Sequence, residues 1–395
     1  MRSPLATGLA GGDVVTGDDV SPKRRSSAPL ALAPPGCFVL RATARQGGRD
    51  SRAAGHRERV MKAIVINGFG DPASTIELQD LPEPAAPGPG EVTVEMLVLN
   101  INPSDLLQIQ GLYGVSKPPL PFIPGGEAVG RISALGEGVK GLAIGDIVSP
   151  MILNCWLERV TIKASLAMKL PAGIDLLQAS MLKGNPATAE ALLSDQVTLQ
   201  PGDWLMQNAA NSAVGTFLVK LARQRGINTL NVVRRESAVA SVKASGGTAV
   251  VADALDDPRA FRKAVKDLTG GAPVKLAIDA IGGGATGVMA NALADGGAIV
   301  NYGLLSGEQC RIDAQHLIFR KVTLKGFWLI HWFQEAGREK LAATYARMAA
   351  GMVDGTLTTP VAEVIPMEEA KRAMAAAGEG GRAGKVLMVT KAYGG

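Results

Sequence analysis

The stretch Trp204-Leu205-Met206-Gln207-Asn208-Ala209-Ala210-Asn211-Ser212-Ala213-Val214-Gly215 decides the fold. An apolar, strand-like run gives way to small and polar residues. An amphipathic run over 213–225 follows, closed by Gly226. This pattern is a strand, a tight turn and a helix start. Such a turn delivers a helix N-terminus whose unpaired amides can hold a phosphate. The glycine-rich form of the motif reads G-x-G-x-x-G. Here Ala209, Ser212 and Gly215 occupy the small-residue positions and only Gly215 is glycine. Small residues still allow close backbone approach, and Asn211 and Ser212 add side-chain donors. Asn208, Asn211, Ser212, Ala213, Val214 and Gly215 therefore form a candidate pyrophosphate site, against the plainer alternative of an ordinary strand-to-helix turn.

Downstream, strands and helices alternate. Strand patterns lie at 229–233, 250–251, 274–280, 298–303 and 322–327, with helix patterns at 237–245, 258–268 and 286–294. Repeated units of this length predict a doubly wound parallel sheet, the Rossmann arrangement, over 186–329. Its second strand runs into Arg234-Arg235-Glu236. A carboxylate at such a strand end suits a ribose 2′-hydroxyl, whereas guanidinium groups pair with a 2′-phosphate. Arg234 and Arg235 thus favour NADPH over NADH. Glu236 is the competing observation, and a solvated loop is the plainer one. Tyr302 and Gly303 end another strand beside the expected nicotinamide position and are further candidate cofactor contacts.

Upstream, 61–185 is β-rich, with strand patterns at 63–66, 91–100, 128–135 and 147–151 separated by Gly and Pro clusters. This predicts a partly open β-barrel. A helix is expected over 179–193 at the junction. Beyond 329 a long helix is expected over 335–352, and the strand 385–390 returns to the β-rich domain, so that 330–395 completes it.

The first 60 residues hold ten Lys/Arg and five Asp/Glu, which accounts for the whole formal charge of +5 and leaves the remainder neutral. A basic nucleic-acid surface on the folded body is not indicated. Residues 1–60 read as a disordered tail with three possible origins: an organellar leader, a natural extension, or a start codon placed upstream of a true start at Met61. The first implies a mitochondrial address and the last a cytoplasmic one. No apolar run reaches the length of a membrane span. Cys37, Cys155 and Cys310 are too far apart for a disulfide framework or half a zinc knot. His56, His316 and His331 show no metal spacing.

Zinc-dependent medium-chain dehydrogenases carry a cysteine in an early N-x-C-x-x-D segment and a Gly-His-Glu some twenty residues later. This chain reads Asn100-Ile101-Asn102-Pro103-Ser104-Asp105 and then Pro124-Gly125-Gly126-Glu127, so the ligand slots hold Pro103 or Ser104 and Gly126. No metal is expected. Several segments together resemble the mitochondrial-type trans-2-enoyl-thioester reductases, zinc-independent members of the medium-chain dehydrogenase/reductase superfamily. They are Asn102-Pro103-Ser104-Asp105, Ile109-Gln110-Gly111-Leu112-Tyr113-Gly114, the turn at 207–215, Asn231-Val232-Val233-Arg234, and Lys325-Gly326-Phe327-Trp328-Leu329 with Trp332. Ala213 departs from the glycine usual at its position.

The resemblance implies NADPH-dependent reduction of enoyl chains carried on coenzyme A or acyl carrier protein, by a homodimer. It implies Tyr113 as the catalytic phenol, Asn102 among the cofactor contacts, and Phe327, Trp328 and Trp332 along the acyl pocket. For Tyr113 the plainer alternative is a packed loop tyrosine; for the aromatic cluster it is core or a subunit interface. Two other functions remain open at this point: a quinone oxidoreductase of the same superfamily, and a catalytically idle relative that binds nucleotide or RNA.

Overall fold

The computed structural model describes residues 59–252 and 254–394; the expectations placed on residues 1–58, and on Cys37 and His56, fall outside them. Seven strands come first: β1 (Val60–Ile66), β2 (Ile76–Pro82), β3 (Glu91–Asn100), β4 (Ala128–Leu135), β5 (Ile147–Pro150), β6 (Arg159–Lys163) and β7 (Ala167–Lys169). β3 is the spine, and Val92, Val94, Met96, Leu97, Val98 and Leu99 on both of its faces are fully buried. It pairs antiparallel with β4 on one edge. Its other edge pairs first with β6. β1 and β2 form a separate antiparallel pair. Single bridges from Ala63 to Leu157 and from Ile66 to Phe122 fasten it to the segments that lead into β6 and β4. A spine strand with split partners and a fastened pair is how a sheet curls into a partly open barrel.

The parallel sheet follows with β8 (Trp204–Gln207), β9 (Asn228–Val233), β10 (Ala249–Ala252), β11 (Val274–Asp279), β12 (Ala298–Asn301) and β13 (Thr323–Gly326). Their spatial order is β10-β9-β8-β11-β12-β13. The order reverses between β8 and β11, and such a switch point opens a crevice at the carboxyl ends of the strands. Buried Leu205, Met206, Leu230, Val232, Leu276, Ile278, Ile299 and Val300 are apolar because helices cover both faces. The helix Ala213–Gln224 turns Gly215, Phe217, Leu218, Val219, Leu221 and Ala222 inward and ends on Gly226 at φ 68°.

Finally β14 (Val361–Pro366) and β15 (Lys385–Val389) return to the first sheet. β15 pairs with the far half of β3, Leu387 opposite Asn100.

Two expected helices are broken. The stretch 179–193 is divided into Leu176–Ala179 and Asn185–Ser194. A Cβ on Gly184 would overlap the Glu127 carboxylate. Pro186 has no N–H to continue a preceding turn. Likewise 335–352 is divided at Gly337, φ 73°, into Leu329–Glu335 and Arg338–Val353.

Candidate functional site

At the switch point the chain leaves β8 through Asn208 and Ala209, the latter at φ 47°. Ser212 caps the next helix, its hydroxyl accepting from Gly215 N at 3.1 Å. Ala213 and Val214 are the first two residues of that helix, and their N–H groups have no carbonyl of their own helix to reach. Gly215 is required by contact: a Cβ there would meet the Ala210 backbone at 2.6–2.8 Å. Gly303 has the same constraint, because its Cβ would press on the Ala280 backbone. Two bare-backbone approaches beyond the carboxyl ends of β8 and β12, which flank β11, beside a capped helix N-terminus, fit a dinucleotide. Asn211 is exposed and Tyr302 half-buried on this side.

Asn208 lies beneath the turn and not on its surface. It is 1% exposed, its Nδ2 donates to Asp279 Oδ1 at 2.6 Å, and its Oδ1 accepts from Ala280 N at 2.7 Å. Its side-chain amide clamps β8 to β11. Asp279 escaped sequence reading. Fully buried, it also accepts from Ile281 N, Gly282 N and Thr286 Oγ1. The available signal was a lone acid ending an apolar strand.

Arg234 and Arg235 follow β9 and are exposed, with Glu236 beside them. Their guanidinium groups bear on Gly380 and Gly381, in the connection before β15.

Tyr113 is reached from β3 through the helix Pro103–Ile109. That helix ends with Gly111 N donating to Gln108 O at 3.0 Å and Leu112 N to Leu107 O at 2.8 Å. This double bond, with Gly111 at φ 71°, is a Schellman stop. It leaves Leu112 exposed and turns Tyr113 inward. Lys117 lies 5.0 Å from the Phe69 ring centroid and pins the same loop. Trp328 Nε1 donates to Tyr113 Oη at 2.8 Å, and the rings meet edge-on. Burial pushes the phenol's pKa up; the Trp328 N–H opposes this, and the Asp105 charge adds to it.

Below this loop lies a buried polar floor. Asn102 Oδ1 accepts from Lys385 Nζ at 2.8 Å and from Asn185 Nδ2 at 3.0 Å, and its Nδ2 donates to Glu127 Oε2 at 3.2 Å. Half-buried Asn102 thus joins three elements through its side-chain amide. Asp105 accepts from Asn102 N at 2.7 Å and Gly126 N at 2.8 Å. Burial raises the Asp105 pKa to about 6, those N–H groups and Lys385 opposing. Burial also raises Glu127 and lowers Lys385, the latter to about 8. Glu127 and Lys385 were missed because one sits beside an empty ligand slot and the other begins an apolar strand.

Phe327 and Trp328 follow β13 and are half-buried. Trp332 does not join them at Tyr113. It is buried in the core with Leu192 and Phe217, and its Nε1 donates to Asp195 at 2.7 Å. His331 is exposed and stacks edge-on against Trp328. In the zinc-ligand slots, Gly126 packs on Asp105 and Ser104 lies in the helix start. Among the described residues no three His, Cys, Asp or Glu side chains cluster as metal ligands.

The family model described as an alcohol dehydrogenase GroES-like domain matches residues 88–173, and that described as a zinc-binding dehydrogenase matches 213–347. The chain is 33% identical over 361 residues to the mitochondrial enoyl-acyl-carrier-protein reductase of Rattus norvegicus, covering 89% of this chain and 95% of that one. The mitochondrial 2-enoyl thioester reductase Etr1p/Etr2p heterodimer of Candida tropicalis superposes with a TM-score of 0.76 at 26% identity, over 84% of this chain and 100% of that one. An Etr1p complex with NADP and crotonyl-CoA gives 0.75 at 26%, with the same coverage. A mycobacterial quinone oxidoreductase gives 0.72 at 26%, over 83% and 99%.

Proposed function

Because the chain belongs to the mitochondrial-type enoyl thioester reductases of the medium-chain dehydrogenase/reductase superfamily, we propose that Tyr113, Trp328 and the turn at 208–215 are its working parts. The protein is an NADPH-dependent oxidoreductase that reduces the 2,3 double bond of trans-2-enoyl thioesters. NADPH supplies the hydride, which goes to Cβ. A proton must then reach Cα, and negative charge gathers on the thioester carbonyl between the two events.

The observation that carries the assignment of roles is the 2.8 Å bond from Trp328 Nε1 to Tyr113 Oη. With Oη accepting from the indole, the phenol's own proton has no acceptor among the described residues and is free for substrate. Burial keeps that phenol protonated at neutral pH, as an acid or an enolate hydrogen-bond donor requires. In this reading Asn211, Ser212 and the amides of Ala213 and Val214 hold the pyrophosphate, and Gly215 permits the close backbone approach. Arg234 and Arg235 hold the 2′-phosphate. Tyr302 and Gly303 border the nicotinamide, while Phe327 and Trp328 exclude water from the acyl chain.

The acyl carrier is coenzyme A or acyl carrier protein: one relative is an enoyl-acyl-carrier-protein reductase and a structural neighbour binds crotonyl-CoA. The mitochondrial address of the relatives supports reading residues 1–60 as an organellar leader over a cytoplasmic start at Met61. A homodimer is supported by the edge strand β13 and by exposed Ile318 and Phe319 nearby.

The test mixes the full chain with NADPH and crotonyl-CoA, decenoyl-CoA, an enoyl-acyl carrier protein, or a quinone. Oxidation of NADPH by enoyl thioesters is expected. Rapid turnover of the quinone with none of any enoyl thioester would overturn the reading.

A further inference from the structure

Arg234 and Arg235 stand at the end of β9, in the parallel sheet, yet their side chains rest on the other sheet's connection between the helix Ala370–Gly378 and β15. A Cβ on Gly380 would come within 2.8 Å of an Arg234 Nη and 3.9 Å of an Arg235 Nη. A Cβ on Gly381 would overlap the Arg235 guanidinium outright. The connection is anchored at both ends. Arg382 Nη1 donates to Glu379 O at 2.7 Å and also to Ala377 O, closing the last turn of the helix. Lys385 N donates to Pro360 O at 2.9 Å, and Gly384 admits no side chain against that same carbonyl. The two glycines thus form a bare, fixed backbone shelf facing two cations from the opposite side of the crevice.

We propose that the turn at Gly380 and Gly381 is the second half of the 2′-phosphate site and a determinant of the choice of NADPH over NADH. The proposal rests on the assignment of Arg234 and Arg235 to that phosphate. Exposed arginines carry large rotamer freedom, which phosphate binding must remove. Seating both guanidinium groups on the shelf removes part of that freedom beforehand and keeps the pair facing the crevice. A side chain at 380 would push Arg234 off its seat. The backbone at 380 is not in the left-handed region, and the atom displaced is the tip of a flexible side chain, so Gly380→Ala leaves the fold intact.

The test is calorimetric titration of the full chain with NADP⁺ and with NAD⁺, with thermal melting as a fold check. Gly380→Ala is expected to raise the NADP⁺ Kd about 3- to 10-fold and to leave NAD⁺ unchanged, the scale of a weakened charge-assisted hydrogen bond. In an Arg234→Ala background the same substitution should do nothing further. The shelf is overturned if Gly380→Ala leaves NADP⁺ binding intact while Arg234→Ala weakens it. It is equally overturned if Gly380→Ala weakens both nucleotides alike, or acts undiminished without Arg234. If Arg234→Ala and Arg235→Ala each leave the NADP⁺ to NAD⁺ ratio unchanged, the underlying phosphate assignment fails, and the shelf with it.

Discussion

Trp328 donates its indole N–H to the Tyr113 phenol across 2.8 Å, joining the loop that follows β3 to the segment that follows β13. The two residues are 215 positions apart in sequence. The bond makes the phenol oxygen an acceptor toward protein, and under the proposed function the phenol's own proton serves the substrate. Tyr113→Phe should therefore lower kcat for crotonyl-CoA by about 10²-fold or more, with NADP⁺ binding retained. Trp328→Phe keeps an aromatic ring and removes only the N–H. It should cost about 3- to 10-fold in kcat, the worth of one hydrogen bond. Steady-state kinetics on folded variants decide this; an unchanged rate for Tyr113→Phe would remove the phenol from the chemistry.

Trp332 predicts the opposite outcome. Its N–H is bound to Asp195, which also takes Lys340 at 2.6 Å. Trp332→Phe should lower stability by about 1 kcal/mol in urea unfolding, through the lost bond. Its kcat should stay within about twofold of wild type. A selective loss of activity on long enoyl chains, with no loss of stability, would restore Trp332 to the acyl pocket.

For the cofactor, Arg234→Ala and Arg235→Ala should each raise the NADPH KM by about tenfold, since a charge-assisted bond to phosphate contributes about 1.5–3 kcal/mol. The NADH KM should barely move. Equal effects on the two cofactors would show that the arginines hold the loop and not the phosphate.

The parallel sheet was legible because each strand and each helix keeps its own period. Its helix over Pro258–Leu268 was expected at the same bounds, and β9 was expected to end at the same residue, Val233. The Gly-flanked loop around Tyr113 was legible too, since Gly111 and Gly114 both take positive φ. What escaped are residues whose role exists only in three dimensions. The side-chain bonds of Asn208 to Asp279 and of Asn102 to Asn185 could not be read from sequence, since each partner lies more than 70 positions away. The short strands β2, β6 and β7 were missed as well. β2, with burial alternating imperfectly over Ile76–Pro82, owes its pairing to β1 more than to its own pattern. Trp332 shares a short aromatic cluster with Trp328, and only the break before the helix Leu329–Glu335 sends the two indoles to different places.

The exposed edge of β13 predicts self-association. Phe319 is 77% exposed and Ile318 65%, on the connection into that strand. Apolar side chains beside an unpaired strand edge suit a second copy better than water. Sedimentation of the full chain should give a dimer, and Phe319→Glu should shift it toward monomer. A wild-type monomer at tens of micromolar would refute the homodimer.

The buried carboxyl of Asp105 predicts a pH dependence whose sign follows from its raised pKa. Burial lifts it from 3.8 to about 6, against the help of Asn102 N, Gly126 N and Lys385. Between those values the folded chain binds more protons than the unfolded one, so stability falls as pH rises. The contribution is fully present below about pH 3.8 and is lost on passing through about 6. Because Asp105 is only 3% exposed, the shift converts with little screening to about 3 kcal/mol as an upper scale. Asp105→Asn cannot titrate and loses one of the two accepted N–H bonds. Measured by urea unfolding, the advantage of wild type over the variant should shrink by up to that amount between pH 4 and 6.5 and then stay level. Parallel stability curves across that window would mean that the carboxyl titrates near its ordinary value, with its two N–H donors outweighing burial.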